Sequence, residues 1–169
     1  MPRRLIALAL SVALVAGCAR SGASDPRDQG RVTKVTDGDT LRVDMNSGGE
    51  EKVRLIGIDT PEVQGRGGLR ECFGKEASAE LARLLPVGTT VRLEIDAEPR
   101  DQYGRLLAYV YRVSDDLHVN LDLARRGFAA PLTIPPNVAF ADDFVAAAAA
   151  ARDANRGLWA ACGGPDKEL

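Results

Sequence analysis

Three charged residues occupy strand positions whose phase favours apolar ones. Asp39 shares a face with Leu41 and Val43, Arg54 with Ile56 and Ile58, and Arg105 with Leu107 and Tyr109, because side chains two apart on a strand point the same way. Two further acids follow directly, in Asp59-Thr60-Pro61-Glu62. If these are core faces, each charge sits at the mouth of an apolar interior. An unpaired buried charge is prohibitively costly, so each then requires a counter-charge, a metal or a ligand. Taken singly, each has another reading. Asp39 can finish the turn begun by Asp37-Gly38. Asp59 can cap a helical turn with Pro61 and Glu62 behind it. Arg105 can be a solvated residue after a Tyr103-Gly104 turn. Spacing alone leaves both readings open, and their joint occurrence favours a site.

The elements that must position these residues are short. Arg31 to Thr36 alternates at period two and runs into Asp37-Gly38, a hairpin signal, and Thr40 to Met45 continues as a second strand. After the turn Asn46-Ser-Gly-Gly49, Lys52 to Ile58 reads as a third strand. Gly74 to Leu85 has helical spacing, with Ala77, Leu81, Leu84 and Leu85 on one side, and Pro86 and Gly88 end it. Thr89 to Ile95 and Arg105 to Val113 are predicted strands, Val119 to Arg126 a short helix stopped by Gly127, and Phe140 to Arg156 an alanine-rich helix stopped by Gly157. Five short strands, with a helix between the third and fourth, predict an α+β chain built on a five-stranded OB-fold β-barrel with about three helices.

The 169 residues fit one domain and a targeting segment. Residues 1–18 read as an export signal: Arg3-Arg4 is the basic start, Leu5 to Ala16 is apolar apart from Ser11, and the run is too short for a stable span. Val15-Ala16-Gly17-Cys18 resembles the bacterial lipobox, which predicts lipidation at Cys18 and a cell-envelope lipoprotein whose only membrane contact is that anchor. The plain alternative is a signal peptide with an incidental cysteine. Residues 19–30 are small and polar and read as a tether, residues 31–162 as the domain, and residues 163–169 as a tail. Without Arg3 and Arg4, 20 basic residues face 24 acidic ones, a formal charge of −4. Such a surface offers no global attraction to a polyanion, so a nucleic acid must be held by a local group of arginines. Cys72 and Cys162 remain as an even pair, which in an exported chain suggests a disulfide, the alternative being two free buried thiols. A usual zinc cluster is excluded by a single histidine, His118, and two spare cysteines. His118 is expected at the surface, at the start of a helix.

Thr36-Asp-Gly-Asp-Thr40, Val53-Arg-Leu-Ile-Gly-Ile-Asp-Thr-Pro-Glu62 and Asp101-Gln-Tyr-Gly-Arg-Leu-Leu-Ala-Tyr109 resemble, in order, the three signature segments of staphylococcal-type nucleases. Gly74-Lys-Glu-Ala-Ser78, Asn120-Leu-Asp-Leu-Ala-Arg-Arg-Gly-Phe-Ala129 and Asn155-Arg-Gly-Leu-Trp159 are similar as well, so the resemblance covers roughly Arg31 to Trp159. It implies a Ca²⁺ held by the carboxylates of Asp39 and Asp59 and the carbonyl oxygen of Thr60. It implies Arg54 and Arg105 as the guanidiniums that grip the scissile phosphate, and Glu62 as general base or water positioner. Tyr103 is similar to a family residue near the nucleotide's terminal phosphate, with packing in a turn as its rival role. The implied activity is endonuclease, and exonuclease, cleavage of single-stranded or denatured DNA and RNA by a monomer. Water attacks phosphorus, the bond to the 5′-oxygen breaks, and 3′-phosphate ends remain. The alternative is a non-cutting OB-fold binding module of the same descent, which should have lost some of Asp39, Arg54, Asp59, Glu62 or Arg105; all are present.

One segment departs from the family. The best-known members carry tyrosines after the glycine equivalent to Gly127 that can pack against the nucleotide, whereas Phe128-Ala-Ala-Pro-Leu-Thr-Ile-Pro-Pro-Asn137 has none. Aromatic stacking is worth ~1–3 kcal/mol per base. Arg66, Arg70 and Lys75 are candidates to hold flanking phosphates, with a solvated Gly/Arg loop as the competing reading.

Overall fold

A two-residue turn at Gly38 and Asp39 folds strand β1 (Gln29–Asp37) back on β2 (Thr40–Met45), with Asp37 opposite Thr40. Leu41 and Val43 are fully buried while Arg42 and Asp44 are exposed, the alternation of a strand with one face inward. β3 (Glu50–Leu55) adds antiparallel to β2 and turns Val53 and Leu55 inward. β5 (Thr90–Glu94) pairs antiparallel with β1 on one side and with β6 (Leu106–Arg112) on the other. Parallel pairing of β3 with β6 closes the ring. The computed structural model, which describes residues 25–64 and 70–168, is thus a closed five-stranded OB-fold barrel with helices. Register shifts in β1, at Val32/Lys34 and Val35/Asp37, bend it enough to serve both neighbours.

Helix α1 (Gly74–Leu84) lays Ala77, Leu81 and Leu84, with Leu85 just beyond, against the barrel. β7 (Leu117–His118) extends the sheet beside β6 and leads into α2 (Val119–Arg125), which ends where Gly127 turns at φ 79°. α2 packs against β6 and against α3 (Ala141–Asp153), whose Phe144, Ala147, Ala148 and Ala151 are buried. Asn120 joins these layers. Its side-chain oxygen accepts the Val110 N–H at 2.9 Å, and its amide donates to the Ile56 and Ala108 carbonyls at 2.9 and 3.1 Å. It thereby satisfies the backbone where the parallel β3–β6 pairing stops.

The structure departs from the sequence expectation in several places. The third strand does not run unbroken to Ile58. It stops at Leu55, and Gly57, at φ 83°, starts a separate β4 (Gly57–Asp59) that pairs with β8 (Ala130–Leu132). A side chain at residue 57 would meet the Phe144 ring at 2.1 Å, so the chain turns where only glycine fits. The last helix stops at Asp153, where Asn155 turns to φ 50° and the Arg156 N–H bonds back to the Ala151 carbonyl at 2.9 Å, and a short α4 (Leu158–Cys162) follows, its Leu158 N–H bonded to the Gly127 carbonyl at 2.8 Å. Among the described residues, regular structure is present ahead of Arg31, with a 3₁₀ turn at Pro26–Asp28 and β1 from Gln29. Cys18, the export segment and Arg66 lie outside the described residues. Cys72 and Cys162 are joined by a disulfide.

His118 caps the start of α2, yet it is half-buried and not fully exposed. Its ring stacks on Tyr111 at 4.6 Å and meets Phe140, Tyr109 and Phe144 edge-on at 5.2–5.8 Å. Its Nε2 is buried and finds no hydrogen-bond partner among the described residues. Burial, reinforced by the charge of Arg92, pushes its pKa down to about 4. The helix-start position was correct, and the aromatic layer brought over it by α3 is what the local sequence does not reveal.

Two measurements check this packing. Asn120→Ala leaves the Val110 N–H and the Ile56 carbonyl without their partners, so urea unfolding should show a loss of about 3 kcal/mol, and a loss under ~0.5 kcal/mol would contradict the role. His118 stays neutral in the fold down to about pH 4, whereas the unfolded chain takes up the proton near 6.5. Stability should therefore fall as pH drops from about 6.5 to 4, by at most about 1.4 kcal/mol per pH unit from this group. A His118→Leu variant should lose less over that range than the parent chain, and equal losses would contradict the assignment.

Candidate functional site

Arg54 lies near the end of β3, and its side chain retains only 13% exposure. One terminal nitrogen, Nη1, contacts Asp39 Oδ2 at 2.9 Å and donates to the carbonyls of Leu55 and Ile58 at 2.7 and 3.1 Å. The other, Nη2, donates to Asp59 Oδ1 at 2.8 Å. Asp39 is itself buried and held: the Thr60 N–H and hydroxyl donate to its Oδ2 at 3.3 and 3.1 Å, and the Thr40 hydroxyl to its Oδ1 at 3.0 Å. Gly38 makes this approach possible, since a Cβ there would meet Thr60 Oγ1 at 2.6 Å. The β1–β2 turn and the end of β4 are thus brought together around one guanidinium.

Arg105 precedes β6, the strand parallel to β3. Its Nε donates to Asp101 Oδ2 at 2.6 Å and its backbone N–H to Asp101 Oδ1 at 2.9 Å. Gly104, at φ 77°, closes the turn by donating its N–H to the Asp101 carbonyl. Among the described residues, no hydrogen bond is made by either Nη of Arg105. Arg54 and Arg105 line one cavity of about 440 Å³, with Leu107, Ile56, Ile58, Leu132, Ile134 and Tyr103 among its other walls. Tyr103 is 72% exposed, with the Arg105 guanidinium 5.6 Å from its ring centre. The apolar face that Arg54 shares with Ile56 and Ile58 is therefore the wall of this cleft, while Val53 and Leu55 fill the barrel.

Acids outnumber bases around Arg54. Although Glu62 is exposed as a residue, its carboxyl hydrogen-bonds with Asp37 and senses Asp37, Asp39 and Asp59. Desolvation first, then this hydrogen bond and the three like charges, push its pKa up to about 7. Asp59 is also raised, by desolvation first, with Arg54 opposing and the charges of Asp39, Asp166 and Glu71 adding to it. Among the described residues no group of three or more His, Cys, Asp or Glu side chains forms a metal cluster. Two carboxylates, Asp39 and Asp59, converge on the single guanidinium of Arg54, and the Thr60 N–H and hydroxyl hold Asp39 beside it. Carboxylate oxygens with surplus negative charge fit a hard divalent cation and not zinc.

Residues 52–161 match the family model described as Staphylococcal nuclease homologue. The chain belongs to the staphylococcal nuclease family. The thermonuclease of Staphylococcus intermedius is 44% identical over 106 residues, 63% of this chain and 61% of that protein. The thermonuclease of Staphylococcus hyicus is 35% identical over 140 residues, 82% of this chain and 80% of that one. Endonuclease YhcR of Bacillus subtilis is 35% identical over 140 residues, 78% of this chain but 11% of its own length. The chain thus spans about three-fifths of the S. intermedius protein and a small part of YhcR.

In this member of the staphylococcal nuclease family, the fold brings together Asp39, Arg54, Asp59, Thr60 and Glu62, with Arg105 and Tyr103 along the same cleft. Sequence reasoning missed two residues that act on them. Asp37, read as a turn residue, reaches the Glu62 carboxyl. Asp101 holds Arg105, a link that a turn of Asp, Tyr and Gly four residues before an arginine could have signalled. The tyrosine-free segment supplies an aliphatic wall, Leu132 and Ile134, to the cleft. Arg70 and Lys75 are exposed and do not line it.

Asp37→Asn removes one of the charges that raise Glu62. In the calcium-free protein a carboxyl NMR titration should place Glu62 near 7 and clearly lower in the variant. An unchanged midpoint would contradict the coupling.

Proposed function

We propose that the chain is a Ca²⁺-dependent nuclease that hydrolyses the phosphodiester bonds of single-stranded or denatured DNA and RNA at the 5′-oxygen. The observation that carries this reading is the pair Arg54 and Arg105 lining one cleft, with Asp39 and Asp59 ion-paired to Arg54 and Glu62 within electrostatic reach of both carboxylates. Asp39, Asp59 and the Thr60 carbonyl would hold the Ca²⁺. When bound, it supplies positive charge to the phosphate and makes nearby water more acidic.

The chain's own residues supply the rest. Arg54 and Arg105 donate paired hydrogen bonds to the non-bridging phosphate oxygens and remain charged at every working pH. Glu62 accepts a hydrogen bond from the attacking water and sets its line of approach. As the water oxygen bonds to phosphorus, one proton passes to the Glu62 carboxylate and the P–O5′ bond breaks. The 5′-oxygen takes a proton from solvent, leaving 3′-phosphate and 5′-hydroxyl ends. Negative charge on the equatorial oxygens grows in this step, so the fixed guanidiniums stabilise the transition state more than the bound substrate. Tyr103 borders the phosphate site from the exposed rim. The names of the two staphylococcal relatives and of YhcR agree with cleavage of nucleic acid. We further place the domain outside the cytoplasm, as a monomer tethered by lipid at Cys18.

Cleavage of heat-denatured DNA by the protein, with Ca²⁺ and then with excess chelator, tests the reading. Activity should vanish with chelator, and Arg105→Ala should lower kcat about 10²-fold or more. A variant within about tenfold of the parent would remove Arg105 from the chemistry. A folded, Ca²⁺-bound parent that does not cut would favour a binding module instead.

A further inference from the structure

Glu62 is seated from three directions by residues that the chemistry above does not use. Its backbone N–H donates to the Glu71 Oε2 at 2.8 Å, and its carbonyl accepts the Glu71 N–H at 3.1 Å. Gly74, at the start of α1, closes on the same peptide: a Cβ there would meet the Glu62 carbonyl oxygen at 2.6 Å and the Pro61 oxygen at 2.9 Å. One glutamate thus clasps both backbone polar groups of another, nine positions earlier in the chain.

Glu71 is in turn tied down by the end of the chain. The Cys72 N–H donates to the Lys167 carbonyl at 2.7 Å, Glu71 bridges Glu168, and Cys72 is linked to Cys162. The Gly74 N–H returns to the Glu71 carbonyl at 3.2 Å. Residues beyond α4 therefore form a strap across the base of the segment that carries Glu62. Untied surface segments open locally at low cost, and here the ties to the strap run through residues 71 and 72.

We propose that Glu71 is a positioning residue for Glu62, acting through the paired backbone hydrogen bonds and anchored by the C-terminal strap. The proposal rests on the nuclease reading above, in which Glu62 orients the attacking water. A glutamine at position 71 can still accept the Glu62 N–H, whereas alanine cannot, so the two substitutions separate geometry from charge. The distinction matters because the Glu71 charge also reaches Asp59.

The test compares the parent chain, Glu71→Ala and Glu71→Gln in steady-state cleavage of denatured DNA with Ca²⁺, together with hydrogen exchange at the Glu62 amide in the calcium-free proteins. The parent amide should be protected. In Glu71→Ala that protection should disappear and kcat fall about 10- to 100-fold with KM little changed, and Glu71→Gln should restore both. An active parent with a folded Glu71→Ala variant at parental kcat would overturn the positioning role. A Glu71→Gln variant as slow as Glu71→Ala would overturn the geometric route in favour of charge. An unprotected Glu62 amide in the parent overturns the seat whatever the activity. A parent with a protected amide and no cleavage would instead overturn the nuclease reading, and the positioning role with it.

Discussion

A guanidinium that has given up most of its hydration must be surrounded by acceptors, and Arg54 organises this part of the molecule around that requirement. Four acceptors reach it: the carbonyls of Leu55, where β3 ends, and of Ile58 in β4, and the carboxylates of Asp39 and Asp59. Asp39 stands in the β1–β2 turn and Asp59 at the end of β4, so the ion pairs fix that turn against β4. Coulomb attraction in a half-buried setting is large enough to hold the carboxylates close together despite their mutual repulsion. Desolvation first, with the repulsion of neighbouring carboxylates added to it, raises the pKa values of Glu62 and Asp59. The cluster is therefore under-neutralised by design of its composition, which is the condition that favours a divalent cation.

The fold makes this arrangement possible by closing the barrel through parallel strands. Pairing of β3 with β6 sets Arg54 opposite Leu107, so Arg105, two residues earlier, stands at the same mouth. Asn120 seals the backbone where that pairing stops, and Gly57 then lets the chain turn under Phe144 toward Asp59. The placing of Asp59 beside Arg54 thus depends on contacts made by α2 and α3. Its arginine end depends on the short turn in which Asp101 binds both the backbone and the side chain of Arg105.

Much of this was legible in the sequence. Alternation in Thr40–Met45 named Leu41 and Val43 as core, and the charges in phase with apolar residues marked the cleft. The phase argument left open what Arg54 faces, and it could not see that β3 ends at Leu55, so that Val53 and Leu55 take the barrel interior while Ile56 and Ile58 follow the strand end. The β8 strand was hidden by its length and by Pro131, which speaks against a strand. Asp37 and Glu71 were invisible as partners of Glu62, since tertiary folding and not local spacing brings them to it. His118 was placed correctly along the chain and wrongly in depth, for the aromatic rings over it come from α3 and the segment before it.

The central claim is that Asp39 and Asp59, paired through Arg54, form a cation site beside the guanidinium. Isothermal titration of Ca²⁺ into the calcium-free protein, and into Asp39→Asn/Asp59→Asn with Arg54 retained, tests it most directly. The account predicts one bound ion in the parent, with a rise in its Tm, and neither effect in the folded double variant. Equal binding by both proteins, or none by the folded parent, would contradict it.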